Sequence, residues 1–170
     1  MNPKMSNICS ICQRPHDELP HVSSDRPAQY WDVAEEERDR RIKLTSDTCE
    51  IDSKHFFVRG VIEIPVANYT YEFGFGVWVS HKEENYKIYL EHPDSPDIGP
   101  FFGWLCTKIN YFKDDTELLK TTTYYRGGGL RPMVKLNECD HPLFVYQKKG
   151  ISLDEAWKIV HFYATQNRVR

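Results

Sequence analysis

The sequence has no long hydrophobic run and no excess of charge of one sign. No apolar stretch approaches the roughly 18–20 residues that are needed to cross a bilayer, and the N-terminal residues MNPKMSNICS lack the apolar core of a signal peptide. The formal net charge is −3, with Lys and Arg scattered among Asp and Glu, so no basic surface for nucleic acid is indicated. We therefore expect a cytoplasmic protein that binds neither membranes nor nucleic acid.

The sequence lacks an even set of cysteines, and it lacks the common catalytic motifs. The five cysteines are an odd number in a chain without an export signal, which favours reduced thiols or a metal site over a disulfide framework. The sequence contains no nucleophile elbow, phosphate loop, dinucleotide fingerprint or H-E-x-x-H helix. Catalysis has no support from a motif, and a non-enzymatic role is favoured.

Aromatic residues, by contrast, are abundant. They make up 14% of the 170 residues, within a hydrophobic fraction of 40%, which is the composition of a globular protein. This length suits one domain with one core. We expect a flexible tail over residues 1–8 and a single domain over residues 9–170, made of an N-terminal segment (9–49), a sheet core (50–150) and a C-terminal helix (151–166).

Alternating hydrophobic residues predict strands in the middle of the chain. The segments FFVRGVIEIPV and YEFGFGVWVSH both show this period, and the short link ANYT between them favours an antiparallel hairpin. Trp78 should lie on the side of Gly74 and Gly76, and Arg59 should pair with a carboxylate such as Glu63. Further strands are predicted at FFGWLCTKI, LLKTTTYY, MVKLN and LFVYQ.

Three helices are predicted from capping patterns. Asp32 with Glu35, Ser80 with Glu83 and Ser152 with Glu155 each resemble a capping box. After Ser152, apolar residues recur at helical spacing in a C-terminal helix. The predicted fold class is α+β, a single domain with an antiparallel-rich sheet.

The segment ICSICQRPH predicts a zinc site. Cys9 and Cys12 have the C-x2-C spacing of structural zinc sites, and His16 offers a third ligand from the same turn. A zinc ion takes four ligands, so a distant residue must complete the site. We expect Cys49 in that position; His21 and His55 compete with it, whereas Cys106 and Cys139 resemble ordinary strand and turn residues.

Two other interpretations of the cysteine pair stay open. A redox dithiol should follow a strand and open a helix, but Pro15 comes soon after Cys12 and no long apolar strand precedes Cys9. Unligated cysteines are the other alternative. Of the three interpretations, a structural zinc ion fits the spacing best.

A second group of residues is a candidate for binding a small anion. Three glycines between Arg126 and Arg131 could present backbone N–H groups and guanidinium groups, although a hairpin turn explains them as well. His141, beside Asp140, could act as a base or ligand or simply as a structural residue. With Arg59, the residues Arg131 and His141 define this speculative ligand site.

The chain resembles a mainly bacterial family catalogued as domain of unknown function 2199. The resemblance rests on CxxC…H, SDTC, HFFVRGVIEIPV, FGFGVWVS, GPFFGWL, GGLRPMV and DHPLFVYQKKGIS in this order, from Cys9 to about Trp157. It implies that the family's signature positions are Cys9, Cys12, His16, Cys49, Arg59, Gly60, Trp78, Gly103, Trp104, Arg131, Pro132, His141 and Pro142. Gln13 stands where the family usually has glycine. The resemblance implies no activity.

Two functional hypotheses follow. The first is a non-enzymatic, zinc-stabilised domain that binds another protein, such as an immunity or accessory protein of a bacterial system, because an aromatic-rich sheet without a catalytic motif suits protein binding. The second is an enzyme or sensor that holds a small anionic ligand near Arg59, Arg131 and His141. The sequence does not indicate an oligomeric state.

Overall fold

A computed structural model describes residues 7–166, so most of the predicted tail over residues 1–8 lies outside the described residues. The strands are β1 (Asn7–Ile8), β2 (Pro15–His16), β3 (Val22–Ser23), β4 (Ile42–Leu44), β5 (Thr48–Ile51), β6 (His55–Ile64), β7 (Phe73–His81), β8 (Phe101–Trp104), β9 (Lys120–Tyr124) and β10 (Met133–Leu136). The α-helices are α1 (Glu35–Arg41), α2 (Glu83–Glu91), α3 (Pro142–Lys149) and α4 (Leu153–Gln166), and a 3-10 helix spans Ala28–Asp32.

The predicted hairpin forms the centre of the fold. β6 and β7 pair in antiparallel register from Phe56 opposite His81 to Ile64 opposite Phe73, which confirms the prediction from the alternating segments. Both strands are almost wholly buried. Covering elements therefore lie on both faces of this hairpin.

The large sheet is mixed, so the expectation of an antiparallel-rich sheet is corrected. Its strand order is β3-β7-β6-β10-β9-β8, with β5 pairing the first half of β6. β3 runs parallel to β7, and β10 runs parallel to β6. The sheet also curls, because Val79 at the end of β7 forms an antiparallel bridge with Leu105 directly after β8. The result is a single-domain α+β fold.

Two of the predicted capping residues are wrong, although both helices form. α1 begins after Ala34 and α2 after Lys82, and neither preceding residue gives a side-chain cap. Asp32 belongs to the 3-10 helix, and Ser80 is still part of β7. The S-x-x-E pattern at Ser80 is therefore accidental, because pairing with β6 extends the strand to His81.

The segment LFVYQ is helical and not a strand. Pro142 occupies the start of α3, and the Leu143 backbone N–H donates to Nδ1 of His141, which caps the helix. Proline at the first helical position fixes the backbone in a helical conformation. A short apolar run does not distinguish a strand from a buried helix by its period alone.

The C-terminal helix agrees with the prediction. The Glu155 backbone N–H donates to Oγ of Ser152 before α4. Ala156, Trp157 and Ile159 are buried, and they join the core around β6, β7 and β10. Among the described residues, no helix has both the length and the apolar character needed to span a membrane.

Candidate metal centre

A tight turn between β1 and β2 presents Cys9, Cys12 and His16. The Cys9 N–H donates to the Arg14 carbonyl, and the Gln13 N–H donates to the Cys9 carbonyl, each at 2.9 Å. Gln13 has a φ of 55°, the left-handed conformation that glycine adopts most easily. The turn therefore keeps its shape although this chain carries glutamine at that position.

Helix α4 adds a fourth side chain. His161 is separated from Cys9 by 152 positions, yet its Nε2 lies 3.3 Å from the Cys9 Sγ. The Cys12 Sγ lies 3.1 Å from Nε2 of His16. The ligand atoms of Cys9, Cys12, His16 and His161 all lie within 4.8 Å of one another, so this group could hold a metal ion.

Packing against α4 orients the two histidines. His16 stacks on Trp157, with ring centroids 4.2 Å apart and planes inclined by 22°. Trp157 precedes His161 by one helical turn, and the centroids of these two rings are 5.9 Å apart. The indole therefore fixes the position of the turn relative to α4.

The environment of Cys9 favours the thiolate. Burial of the side chain raises its pKa, but hydrogen bonds from the backbone N–H groups of Cys12 and Ile11 lower it more, so the net pKa lies below the ordinary value for a thiol. Thiolates and not thiols bind metal ions. Cys9 is the buried member of the group, while the other three are partly exposed.

The exposed side of the cluster opens into a cleft of about 570 Å³. Cys12, His16 and His161 line this cleft together with Trp157 and Arg14. Water and small chelators can therefore reach the site from this side, whereas Cys9 closes it toward the core.

Cys49, which we expected as the fourth ligand, lies elsewhere. It is fully buried in a separate apolar cluster that contains Phe57 and Trp78. Burial raises the pKa of its thiol to about 12, which disfavours a thiolate. The fourth member of the cluster is therefore His161 and not Cys49. Neither His21 nor His55 belongs to the cluster.

The sequence does carry a signal for His161, which we did not predict as a ligand. The predicted apolar stripe of α4 runs through Trp157, Val160 and Ala164, and His161 follows Trp157 by four residues on the same side. A histidine within an apolar stripe is a candidate ligand or core residue. The signal alone does not reveal that the partner is the N-terminal turn.

The residues of the speculative anion site make separate contacts. Arg59 pairs with a carboxylate, as expected, but its partner is Asp25, at 3.0 Å, and not Glu63. Glu63 pairs with Arg126. Arg131 pairs with Asp47.

Arg59 and Arg131 nevertheless share a neighbour. The Arg59 backbone N–H donates to the Asp47 carbonyl. Burial raises the pKa of the Asp47 carboxyl, but the hydrogen bond from the Ser46 hydroxyl and the two guanidinium groups together bring the pKa below its ordinary value. His141 makes other contacts, since its Nε2–H donates to the Asp114 carbonyl and its ring packs on Phe112.

Fold and site together define an α+β domain with a Cys/His cluster that could hold a metal ion. The chain belongs to the family described as "Uncharacterized protein conserved in bacteria (DUF2199)", whose model matches residues 8–151. This range contains Cys9, Cys12 and His16, whereas His161 lies beyond it. No curated protein and no solved structure matches the chain.

Proposed function

We propose that this chain is a non-enzymatic, zinc-stabilised domain that binds another protein, in the manner of an immunity or accessory protein of a bacterial system. The observation that carries the zinc proposal is the convergence of Cys9, Cys12, His16 and His161. The protein-binding part is supported by large aromatic side chains that the sheet exposes, among them Trp104.

The ligand set favours zinc with a structural role. Two thiolates and two imidazoles form a common tetrahedral zinc shell, and four protein ligands leave no open position for a substrate. Soft thiolate ligands select against Mg²⁺ and Ca²⁺, which prefer oxygen. The metal would join the β1–β2 turn to α4, two parts of the chain that are far apart in sequence.

Elemental analysis of the purified protein tests the metal proposal. We expect one zinc ion per chain in the wild type, and loss of zinc in Cys9→Ser and in His161→Ala. Cys49→Ser is the matched control, because this thiol lies in another cluster and its removal should leave the zinc in place. Zinc retained in His161→Ala, or a metal-free native protein, would contradict the four-ligand site.

Affinity capture from the source cell tests the protein-binding role. The tagged, zinc-loaded full chain should retain a stoichiometric protein partner at physiological salt. Recovery of no partner from cells grown under several conditions would count against this function. The metal proposal would not be affected by that result, since elemental analysis tests it independently of affinity capture.

The second candidate is an enzyme or sensor that binds a small anion at Arg59 and Arg131. The observation in its favour is that both arginines contact Asp47 and therefore lie near each other. Against it, each guanidinium group already pairs with a carboxylate. His141 caps α3, and its hydrogen bonds are made elsewhere. A phosphate titration followed by calorimetry tests this candidate; binding that is lost in Arg131→Ala but kept in His141→Gln would support it.

A further inference from the structure

One face of β8, β9 and β10 exposes aromatic side chains. Phe102, Trp104 and Tyr124 have exposed fractions of 46%, 40% and 38%. Their neighbours in the same strands point inward, since Gly103, Thr121, Thr123, Val134 and Leu136 are buried. The rings of Phe102 and Trp104 form an edge-to-face pair with centroids 5.3 Å apart, so they make a continuous apolar surface.

Two lysines complete this surface. The Lys120 ammonium lies 5.9 Å from the Trp104 ring centroid, and the Lys135 ammonium lies 5.2 Å from that of Tyr124. Within residues 7–166, neither lysine forms an ion pair, in contrast to Lys43, Lys87, Lys108 and Lys158. We call Phe102, Trp104, Lys120, Tyr124 and Lys135 the aromatic–lysine face.

The charge of this face differs from that of the whole chain. The sequences of β8, β9 and β10 contain no Asp or Glu, although the chain has a formal net charge of −3. An exposed group of large apolar side chains commonly marks an interaction site. Here the only charged side chains that the three strands contribute are Lys120 and Lys135, and their positive charge is complementary to a negatively charged partner.

We propose that the aromatic–lysine face binds an acidic segment of a partner protein that also carries aromatic or aliphatic side chains. This inference rests on the proposed protein-binding function and specifies the chemistry of the partner. The rings supply rigid contact area, and the unpaired ammonium groups meet the partner's carboxylates. Burial of these groups in the complex strengthens both interactions.

The partner lies across the face and does not extend the sheet. Beyond β8, the Trp104 backbone N–H donates to Oγ of Ser80 at 3.1 Å. A Cβ on Gly103 would approach the Ser80 carbonyl oxygen to 2.1 Å, so β7 already occupies this edge. Addition of a strand beside β8 is therefore blocked at this end, and side-chain contacts must provide the affinity.

Two other occupants fit less well. In a symmetric pair of copies the face would meet itself, and it offers no carboxylate for its own lysines. Nucleic acid would stack on the aromatic rings, but two lysines without an arginine form a poor track for a phosphate backbone. An oligonucleotide probe and sedimentation detect these two occupants in the experiment that follows.

Fluorescence anisotropy with short synthetic probes tests the inference on the zinc-loaded full chain. The main probe is a labelled peptide of Asp, Glu and Phe; the matched probes replace its acids by Lys or its Phe by Ser, and a single-stranded oligonucleotide serves as a further probe. We expect the acidic aromatic peptide to bind most tightly. Trp104→Ala and the double variant Lys120→Glu/Lys135→Glu should each weaken it by about tenfold or more.

The control variant is Trp31→Ala, because Trp31 is another exposed indole, at 61%, outside this face. It should leave peptide binding unchanged, and circular dichroism should show that all variants are folded. Equal binding by wild type and face variants would overturn the inference. Tighter binding of the oligonucleotide, or face-dependent dimerisation in sedimentation, would overturn it in favour of those occupants.

The same variants separate this inference from the proposed function. If the wild type captures a stoichiometric partner from the cell and Trp104→Ala captures it equally well, the chain binds protein through another surface and the inference fails alone. If the wild type captures no partner, the protein-binding function fails, whereas the peptide titration still reports whether the face has the proposed chemistry.

Discussion

At the scale of single residues, Trp78 shows how glycines arrange the packing around β7. The indole is fully buried, and its Nε1–H donates to the Ser24 carbonyl at 3.0 Å. On the same side of the strand, a Cβ at Gly76 would lie 2.6 Å from the Ser23 Cβ. Trp78 therefore shares this side of β7 with the glycines, as expected, and the chain at His21 and Ser23 packs closely against Gly74 and Gly76.

Trp78→Ala should lower the free energy of unfolding by roughly 3–5 kcal/mol, because it leaves a cavity and an unpaired Ser24 carbonyl. The matched control is Trp31→Ala, whose exposed indole should cost less than about 1 kcal/mol. Urea unfolding measures both. Similar values for the two variants would contradict the structural role of Trp78.

Glu155 provides a pH-dependent contribution to stability. Partial burial raises its pKa, but hydrogen bonds from the Tyr111 and Tyr146 hydroxyls to Oε1, at 2.6 Å and 2.8 Å, outweigh this effect, and the pKa lies below its ordinary value of 4.5. A depressed carboxyl pKa stabilises the fold above the unfolded-state pKa. The contribution is lost as the pH falls through the folded-state pKa.

Glu155→Gln should therefore lower the free energy of unfolding by about 1 kcal/mol at neutral pH, and the difference from wild type should vanish in acid. Urea unfolding between neutral pH and about pH 3 follows this change. The control is Glu84→Gln, in the first turn of α2, where the carboxylate is exposed. A difference that stays constant with pH would show that ionised Glu155 is not responsible.

At the scale of elements, the curl of the sheet depends on β8 approaching β7. Gly103 is buried and faces the Ser80 carbonyl, so an added methyl group would collide with backbone that cannot rotate away. We expect Gly103→Ala to cost roughly 1–3 kcal/mol or more. The control, Phe102→Ala, removes an exposed neighbour and should cost less than about 1 kcal/mol; thermal unfolding compares the two.

The elements that could be predicted from the sequence are those in which the period of the hydrophobic residues matches the side chains that the fold buries. β6, β7 and α4 have long, regular patterns, and the structure confirms them. LFVYQ could not be assigned from its apolar run, because its helix is set by Pro142 and by the His141 side chain that caps it. The cap at Ser80 failed because pairing across the hairpin overrides a local motif.

At the scale of the whole molecule, the candidate metal centre joins the two ends of the described chain. The local part of the site, Cys9, Cys12 and His16, could be predicted because one turn holds all three. The fourth side chain depends on where α4 packs, which spacing along the sequence does not determine. Cys49 has a thiol that suits a metal ligand, but the antiparallel pairing of β5 with β6 places it opposite Phe57, inside the core.

Removal of the metal should therefore loosen the two ends together and leave the centre folded. At the proposed site, zinc binding would be coupled to the folding of the segments that carry the four side chains. The hairpin of β6 and β7, in contrast, pairs along its length and buries Ile62, Phe73 and Phe75 in the centre of the core. After chelation, hydrogen exchange should increase in residues 7–16 and in α4 near His161, and stay slow in the hairpin.

The same experiment on two variants distinguishes Cys49, the ligand expected from the sequence, from His161, which lies in the cluster. Cys49→Ser should keep its zinc and show the wild-type response to the chelator, while His161→Ala should exchange rapidly at both ends before any chelator is added. If the metal joined the N-terminal turn to β5, as the sequence suggested, chelation would instead expose residues up to about 48 and leave α4 protected. Zinc should also be lost as the pH falls, because protons compete for both thiolates and both imidazoles.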